Sequence, residues 1–539
     1  MKSSDSGAPA GATPDSPATD EVVVRDRGKL ANRHVTMITL GGIIGASLFV
    51  GSGDVIRSVG PAAIISYLIG GLLVWLTMQM LGEMAARKPA VGSFMEYADE
   101  SLGGWAAYLS GWLYWYFWVG IIAYESVVGG NTLFGWFPTV PSWAWTSLLV
   151  VIFLLTNLFS VRIFGEIEFW LASIKVITII VFLVAGALFV LHLWPTSGAH
   201  DPAISNLWSH GGFMPQGAGT AIVAVATVIF SYFGTEIAVM AAAESVDPAR
   251  GIKLATRTVV WRILLFFVGG VLIIVMAVPW NELPPTDVAA PFAYVFEMLG
   301  LPQAKLIMNL VLFTAAISVL NSGLYSAPRM LASLSDKGFA FTWIGRRTKS
   351  GAPIGALLLS CVGALAAIVA NFAGAENIYT FIMNSGGLVA LFVYVCIAWA
   401  QLRMRMKLSP AERAELPLKV AFVPWLNLVV FAAVIAVIII MLLTPGGRAQ
   451  VFTSLLATAV LVVLWPLVSR TLHRRGIDTR PAMDIRAETE AAGKAPRARA
   501  RPRGGGGPRP APPLAEATPT RVCPRPLPCP AALSETNIQ

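Results

Sequence analysis

Twelve runs of predominantly apolar residues, each about as long as a lipid bilayer is thick, decide what this chain can fold into. Crossing a hydrocarbon core ~30 Å thick takes roughly 20 apolar residues wound as a helix. The runs fall at 35–57, 62–86, 103–129, 142–161, 168–192, 217–243, 258–280, 303–329, 352–371, 376–401, 422–443 and 450–469. Backbone groups in lipid must find partners within their own segment. Each run is therefore expected as a helix, and the fold as an all-α membrane protein with 12 transmembrane helices. Only 13% of the 539 residues are charged, about half the roughly 25% of soluble chains.

The positions of Lys and Arg predict which way the runs cross. Alternate connections carry Arg87 and Lys88; Arg162; Arg250, Lys253 and Arg257; Lys337, Arg346, Arg347 and Lys349; and Arg403, Arg405, Lys407, Arg413 and Lys419. The other connections hold little beyond Arg57, Lys305 and Arg448, with His200, His210, Glu282 and Asp287. This asymmetry predicts a multi-pass protein with both termini in the cytoplasm and an even number of crossings. The first 33 residues are polar, without the apolar core of a cleavable signal, and are expected as an unfolded cytoplasmic tail. Residues 34–401 would form a ten-helix core, 402–469 would carry helices 11 and 12, and 470–539, rich in Pro, Arg and Gly, would be a disordered basic tail.

A net charge of +9 does not imply a nucleic-acid partner, because the cations lie between apolar runs and not on one soluble face. Membrane lipid is the expected surround. Cys361 and Cys396 lie inside apolar runs, and Cys523 and Cys529 in the basic tail. None has metal or disulfide spacing, so no metal site is expected.

The first run contains "GGIIGASLFVGSG", threaded with glycines that cost a helix interior about 1 kcal/mol each. Irregular backbone inside a bilayer is tolerated where it is buried in protein or lines a polar cavity. If the helix unwinds around Gly45, its second half begins near Ser47. The N–H groups of Ser47, Leu48 and Phe49 would then face the gap with the positive end of a helix dipole, an arrangement that suits a carboxylate. The carbonyls near Ile43 and Ile44 would suit an ammonium group. Close helix packing is the other use of such glycines. Five runs later, "TVIFSYFGTEIAVM" places Gly234 before Thr235, a candidate N-cap, with Phe230 and Ser231 just ahead. Paired breaks in corresponding runs are the mark of an inverted-repeat transporter whose site lies at mid-membrane. Helices 1–5 and 6–10 would then form a 5+5 repeat.

Ionisable groups within runs are costly and therefore point to function. Glu236 follows the second break, Lys175 lies in "FWLASIKVITIIVF", and Glu125 lies in the outer part of the third run. Each reads either as a titrating partner of the ligand or as a member of a structural ion pair. Glu83 and Arg329, near run ends, are expected to reach the interface. In "GWLYWYFWV", Trp115 or Trp118 would line a site or simply pack.

The stretches "RHVTMITLGGIIGASLFVGSG", "GEMAARKPAVGSFMEYADESLG", "GEIEFWLASIKVITII", "FSYFGTEIAVMAAAES" and "LNSGLYSAPRMLASLSDKG" resemble the amino acid transporter family of the amino acid–polyamine–organocation superfamily. The likeness runs from about Arg33 to Arg405. Where most members resemble a G-T-G-L-F pattern, this chain has Gly45, Ala46, Ser47, Leu48 and Phe49. With "LWSHGGFMPQG" and "QLRMRMK", that departure looks like the γ-aminobutyrate permease branch. The resemblance implies the leucine-transporter fold and proton-coupled uptake across the bacterial plasma membrane, with no cofactor beyond the coupling proton. It implies a substrate carboxylate on the backbone of Gly45, Ala46 and Ser47, Phe230 as an aromatic gate, Lys175 in the place of a sodium ion, and Glu236 in proton coupling.

The expected function is secondary active symport of γ-aminobutyrate or a related amino acid, with α-amino acids, aromatic or small neutral, as the alternative. The chain has no phosphate-cradling G-x-x-x-x-G-K-[ST] loop. A channel would need charged rings or carbonyl-lined filter loops, and a sensor a folded output domain. An enzyme, also not expected, would need a nucleophile–base or metal constellation, which the five scattered His residues do not make.

Overall fold

The computed structural model describes residues 30–42, 44–159, 161–194, 202–285, 290–301, 303–348, 351–373 and 389–494. Each apolar run carries helix within them. The first run is divided into α1 (Asn32–Gly41), α2 (Ala46–Phe49) and α3 (Gly51–Val59). Next come α4 (Ala63–Arg87), the short α5 (Phe94–Leu102), α6 (Gly104–Trp136), α7 (Ser142–Phe159) and α8 (Val161–Val190). The sixth run is divided into α9 (Gly217–Ser231) and α10 (Ile237–Ala243). The seventh holds α11 (Pro248–Arg262), a π-helical segment (Ile263–Val268) and α12 (Gly269–Ala277). After α13 (Pro291–Met298) come α14 (Ala304–Asp336), α15 (Ile354–Ser360), α16 (Val362–Ala373) and α17 (Val389–Lys407). The first part of the tenth run, 376–388, lies outside the described residues. The chain continues through α18 (Pro410–Ala414), α19 (Trp425–Leu443), α20 (Pro445–Arg474) and α21 (Ala482–Lys494). Apart from two isolated β-bridges, the described residues hold no strand pairing.

Nine of the described helical stretches are long and apolar enough to cross a membrane. The runs missing from that set have physical reasons. The halves α1, α9 and α10 are shortened by their breaks, and α6 is rich in Trp, Tyr and Gly, which lower its mean hydropathy. The second half of the first run is continuous with α4 in the stretch Ser47–Arg87.

The first four runs each pack on the run five places later. α1 lies on α10, while α3 lies on α9, so the first and sixth runs cross head to tail. α4 lies on α11, and α6 on α14. Close approach is built in where it is needed: a Cβ on Gly41 would stand 2.4 Å from the Ala172 Cβ of α8, so only glycine lets α1 and α8 meet there.

Ion pairs gather the basic ends of the helices. Arg87 pairs with Glu100 (2.9 Å), Lys337 with Asp99 (2.6 Å), Arg329 with Glu244 (2.8 Å) and Arg33 with Glu166 (2.7 Å). Glu83 departs from its expected interfacial place. It is fully buried and accepts from Arg405 Nε and Nη2 (2.6 Å each), Gln401 Nε2 (3.0 Å) and the Val420 N–H (2.6 Å). Four donors around one carboxylate satisfy a buried charge that would otherwise be costly. Arg329 likewise turns inward onto Glu244.

Residues 470–494, expected as part of the tail, are largely helical. α20 continues to Arg474, and α21 begins at Ala482. Asp484 of α21 holds Arg403 (2.7 Å) and Lys407 (3.2 Å), and the Gly104 N–H donates to the Thr479 carbonyl (2.9 Å). Composition alone does not reveal such docking. The chain divides into a unit of residues 1–489 and a second of 490–539, of which only the end of α21 is described. Residues 1–29 and 495–539, expected as tails, lie outside the described residues.

Candidate functional site

Both glycine-marked runs are interrupted. α1 ends at Gly41 and α2 starts at Ala46. α9 ends at Ser231, five residues of turn follow, and α10 starts at Ile237. Gly234 has φ +105°, a region that side-chain-bearing residues rarely adopt. Its missing Cβ would point at the Gly42 carbonyl (3.7 Å) and the Trp118 ring (3.9 Å). The two interruptions therefore face one another, with α6 alongside.

Between them lies a cavity of about 280 Å³ lined by Gly42, Gly45, Ser47, Trp118, Glu125 and Ser231, among others. That volume is just under the roughly 300–1,000 Å³ of sites for drug-sized ligands, so the cavity suits a smaller molecule. It continues past Gly51 to Asp54 on α3, whose side chain is 57% exposed, at the end away from the basic helix ends. Toward the basic end the chain is sealed. Glu244 accepts from Arg329 and from the Tyr325 hydroxyl (2.9 Å), Tyr325 stacks on Phe164 (4.0 Å), and Leu30 bridges to Ser245.

Lys175 is fully buried, and its Nζ donates to the Gly41 carbonyl (2.8 Å) and to Ser318 Oγ (2.8 Å). The Ser318 hydroxyl donates to Glu168 Oε1 (2.5 Å), and Asn321 Nδ2 to Glu168 Oε2 (3.3 Å). Asn157 Nδ2 in turn donates to Asn321 Oδ1 (3.1 Å). One polar chain thus joins α7, α14 and α8 to the end of α1. Arg262, also buried, donates to the Thr39 carbonyl, two residues earlier in α1. Two cations therefore occupy the negative end of the α1 dipole.

Sequence reasoning missed Glu168, Arg262, Asn157 and Asn321. The available signal for Glu168 was its spacing, seven residues before Lys175 and so on the same helix face. α8 begins at Val161, seven residues before the expected start of its run, which places Glu168 two turns inside the helix.

The other candidates divide. Gly45, Ser47, Ser231 and Glu125 line the cavity, and Glu125 Oε2 has no hydrogen-bond partner among the described residues. Ile44 and Leu48 are buried behind it. The Leu48 N–H, expected to face the gap, is taken by the Gly45 carbonyl (3.2 Å). Thr235 does not cap α10. Its hydroxyl turns back to the Tyr232 carbonyl (2.6 Å), and Glu236 precedes the helix with Oε2 accepting from the Gly234 N–H (3.0 Å). Glu236 is thereby tied to the break but is not part of the cavity lining. Trp118 lines the site, whereas Trp115 donates to Ser360 Oγ (3.0 Å). Ile43 and the side chains of Ala46 and Phe230 lie outside the described residues. No cluster of metal-ligating side chains occurs among the described residues.

Comparison with known proteins places this geometry in context. The profile of the amino acid permease family matches residues 34–477. The γ-aminobutyric acid permease of Bacillus subtilis (strain 168) is 40% identical over 435 residues, covering 81% of this chain and 92% of the relative. That of Escherichia coli (strain K12) is 41% identical over 444 residues, covering 82% and 94%. An aromatic amino acid transport protein of Salmonella typhimurium (strain SL1344) is 34% identical over 441 residues, covering 81% and 93%.

Proposed function

The chain belongs to the amino acid permease family, and on that premise we propose that it imports γ-aminobutyrate or a closely related amino acid as a proton-coupled symporter of the bacterial plasma membrane. The observation that carries this reading is the small cavity between two facing helix interruptions, with an unpartnered carboxylate, Glu125 Oε2, in its lining. A 5+5 inverted repeat within twelve crossings is supported by the packing of the first four runs on the sixth to ninth, head to tail at the first and sixth. The arginine-rich end is cytoplasmic by the excess of cations there. With that end sealed and the cavity continuing to Asp54, the conformation is outward-facing.

In this reading the substrate carboxylate meets the backbone around Gly45, Ala46 and Ser47, and the ammonium group turns toward Glu125. A γ-amino acid separates its charges more widely than an α-amino acid, which suits anchors carried on two different elements, the α1–α2 break and α6. Lys175 holds the end of α1, Glu236 holds the turn of the second break, and protonation of carboxylates near these hinges alters the cost of burying charge as the bundle rocks. The equilibrium between outward and inward states then follows proton and substrate together.

In cells carrying the protein, unlabelled γ-aminobutyrate and β-alanine are expected to compete with labelled γ-aminobutyrate uptake. Aromatic α-amino acids in the same excess are expected to leave it nearly unchanged, and a protonophore to abolish accumulation. Stronger competition by aromatic α-amino acids would assign the site to the alternative substrate class. Accumulation that persists with protonophore would remove proton coupling.

A further inference from the structure

A second cavity, of about 520 Å³, lies away from the helix breaks, against the basic end of α20. One wall is α20, with Leu464, Leu467 and Val468, and Arg475 just past its end; the other comprises the start of α6 and the 338–343 turn. This wall is held in shape. Trp112 Nε1 donates to the Phe339 carbonyl (3.2 Å), Tyr108 packs edge-on to Phe339, and Gly338 turns the chain with φ +79°.

Depth along α20 sorts the lining by polarity. α20 has 30 residues, about 45 Å at 1.5 Å per residue, and so outruns a hydrocarbon core of ~30 Å. Leu464, Leu467 and Val468 lie at the hydrocarbon level, while Thr471 and Arg475 lie where headgroups begin. Leu467 and Phe341 are exposed at the groove's mouth, as a surface covered by acyl chain would be.

Charge selects the headgroup. Around the groove, Arg403 and Lys407 pair with Asp484, Lys337 with Asp99 and Arg480 with Glu488. Arg474 and Arg475 have no such partner among the described residues. A neutral groove would take any lipid, but an apolar slot that ends at an unneutralised guanidinium complements an anionic one. We infer that this groove is a binding site for one anionic phospholipid, its phosphate on Arg475 and an acyl chain along Leu467 and Val468. The choice of the inner leaflet rests on the orientation proposed above, whereas binding itself is measured without it, so the two fail separately.

The test is native mass spectrometry of the purified full-length protein in detergent with equal amounts of phosphatidylglycerol and phosphatidylcholine. One phosphatidylglycerol is expected to stay bound under activation that strips phosphatidylcholine. Arg475→Gln is expected to weaken retention about fivefold, the worth of one arginine at a charged lipid surface, and Arg475→Lys to keep most of it. Leu467→Trp, which fills the slot at an exposed position, is expected to abolish retention with Arg475 intact. Equal retention of both lipids, displacement of the lipid by inorganic phosphate alone, or indifference to both Arg475→Gln and Leu467→Trp would overturn the inference.

Discussion

Lys175→Ala is expected to abolish concentrative uptake while leaving slow exchange of label across the membrane. The ammonium group bridges the Gly41 carbonyl, at the end of α1, to Ser318 on α14, and Ser318 passes the contact to Glu168. Removing it strips the buried Glu168 carboxylate, linked to it through Ser318, of a nearby positive charge, an effect below the roughly 3–5 kcal/mol of a directly contacting buried pair broken on one side. It also leaves a carbonyl unsatisfied at the hinge, at about 1–3 kcal/mol. Both losses fall on the joint that, under the proposed proton coupling, moves as the bundle rocks. Alanine therefore disconnects α1 from α14, and proton binding no longer biases which face is open. With one proton per substrate, ~2.3 kcal/mol for a charge crossing 100 mV corresponds to about 50-fold accumulation. In reconstituted vesicles with an imposed potential, the variant is expected to bring internal label only to equality with the outside. Accumulation matching the parent protein would remove Lys175 from coupling. The double variant Lys175→Met, Glu168→Gln removes the stranded charge, so thermal stability should recover while accumulation does not.

Gly234→Ala has the next largest effect. At φ +105° an alanine strains the backbone by about 1–3 kcal/mol, although its Cβ meets only ordinary contacts with Gly42 and Trp118. Steric exclusion is not the cause; conformational preference is. The strain is relieved when the turn between α9 and α10 changes shape, and that turn carries the Gly234 N–H to Glu236 bond. A penalty in that range depopulates the binding-competent state by roughly 5- to 150-fold and raises the apparent dissociation constant by the same factor. Binding of γ-aminobutyrate to the purified variant, read by isothermal titration, checks this. Unchanged affinity in a variant that inserts normally would show that the turn does not form the site.

These two positions differ in how openly the sequence displays their roles. The helix breaks were legible because glycine is expensive in a helix interior and had no evident use if the runs were continuous. Lys175 was legible because a charge among Val, Ile and Phe has few innocent explanations. Glu168 and Arg262 were hidden by their positions near expected run edges, where a charged side chain ordinarily reaches water. Only the true start of α8 at Val161, and of α11 at Pro248, moves them indoors. Glu83 was obscured in the same way, since its four donors come partly from α17 and from the chain before α19. A one-dimensional pattern reports burial within a run but not which distant backbone groups converge on a side chain. Thr235 failed for a local reason: its residue type favours capping, yet the positive φ at Gly234 turns its hydroxyl back to Tyr232. Asn157 and Asn321, neutral and isolated in apolar runs, give no signal until α7 and α14 are seen together.

The central claim, that the facing helix breaks form a carrier site for a small amino acid, is tested most directly by counterflow. Proteoliposomes loaded with unlabelled γ-aminobutyrate are diluted into a trace of labelled γ-aminobutyrate without any ion gradient. A carrier transiently concentrates label inside, and Gly234→Ala blunts that overshoot. Label that only equilibrates with the parent protein, or an overshoot that Gly234→Ala leaves untouched, contradicts the account.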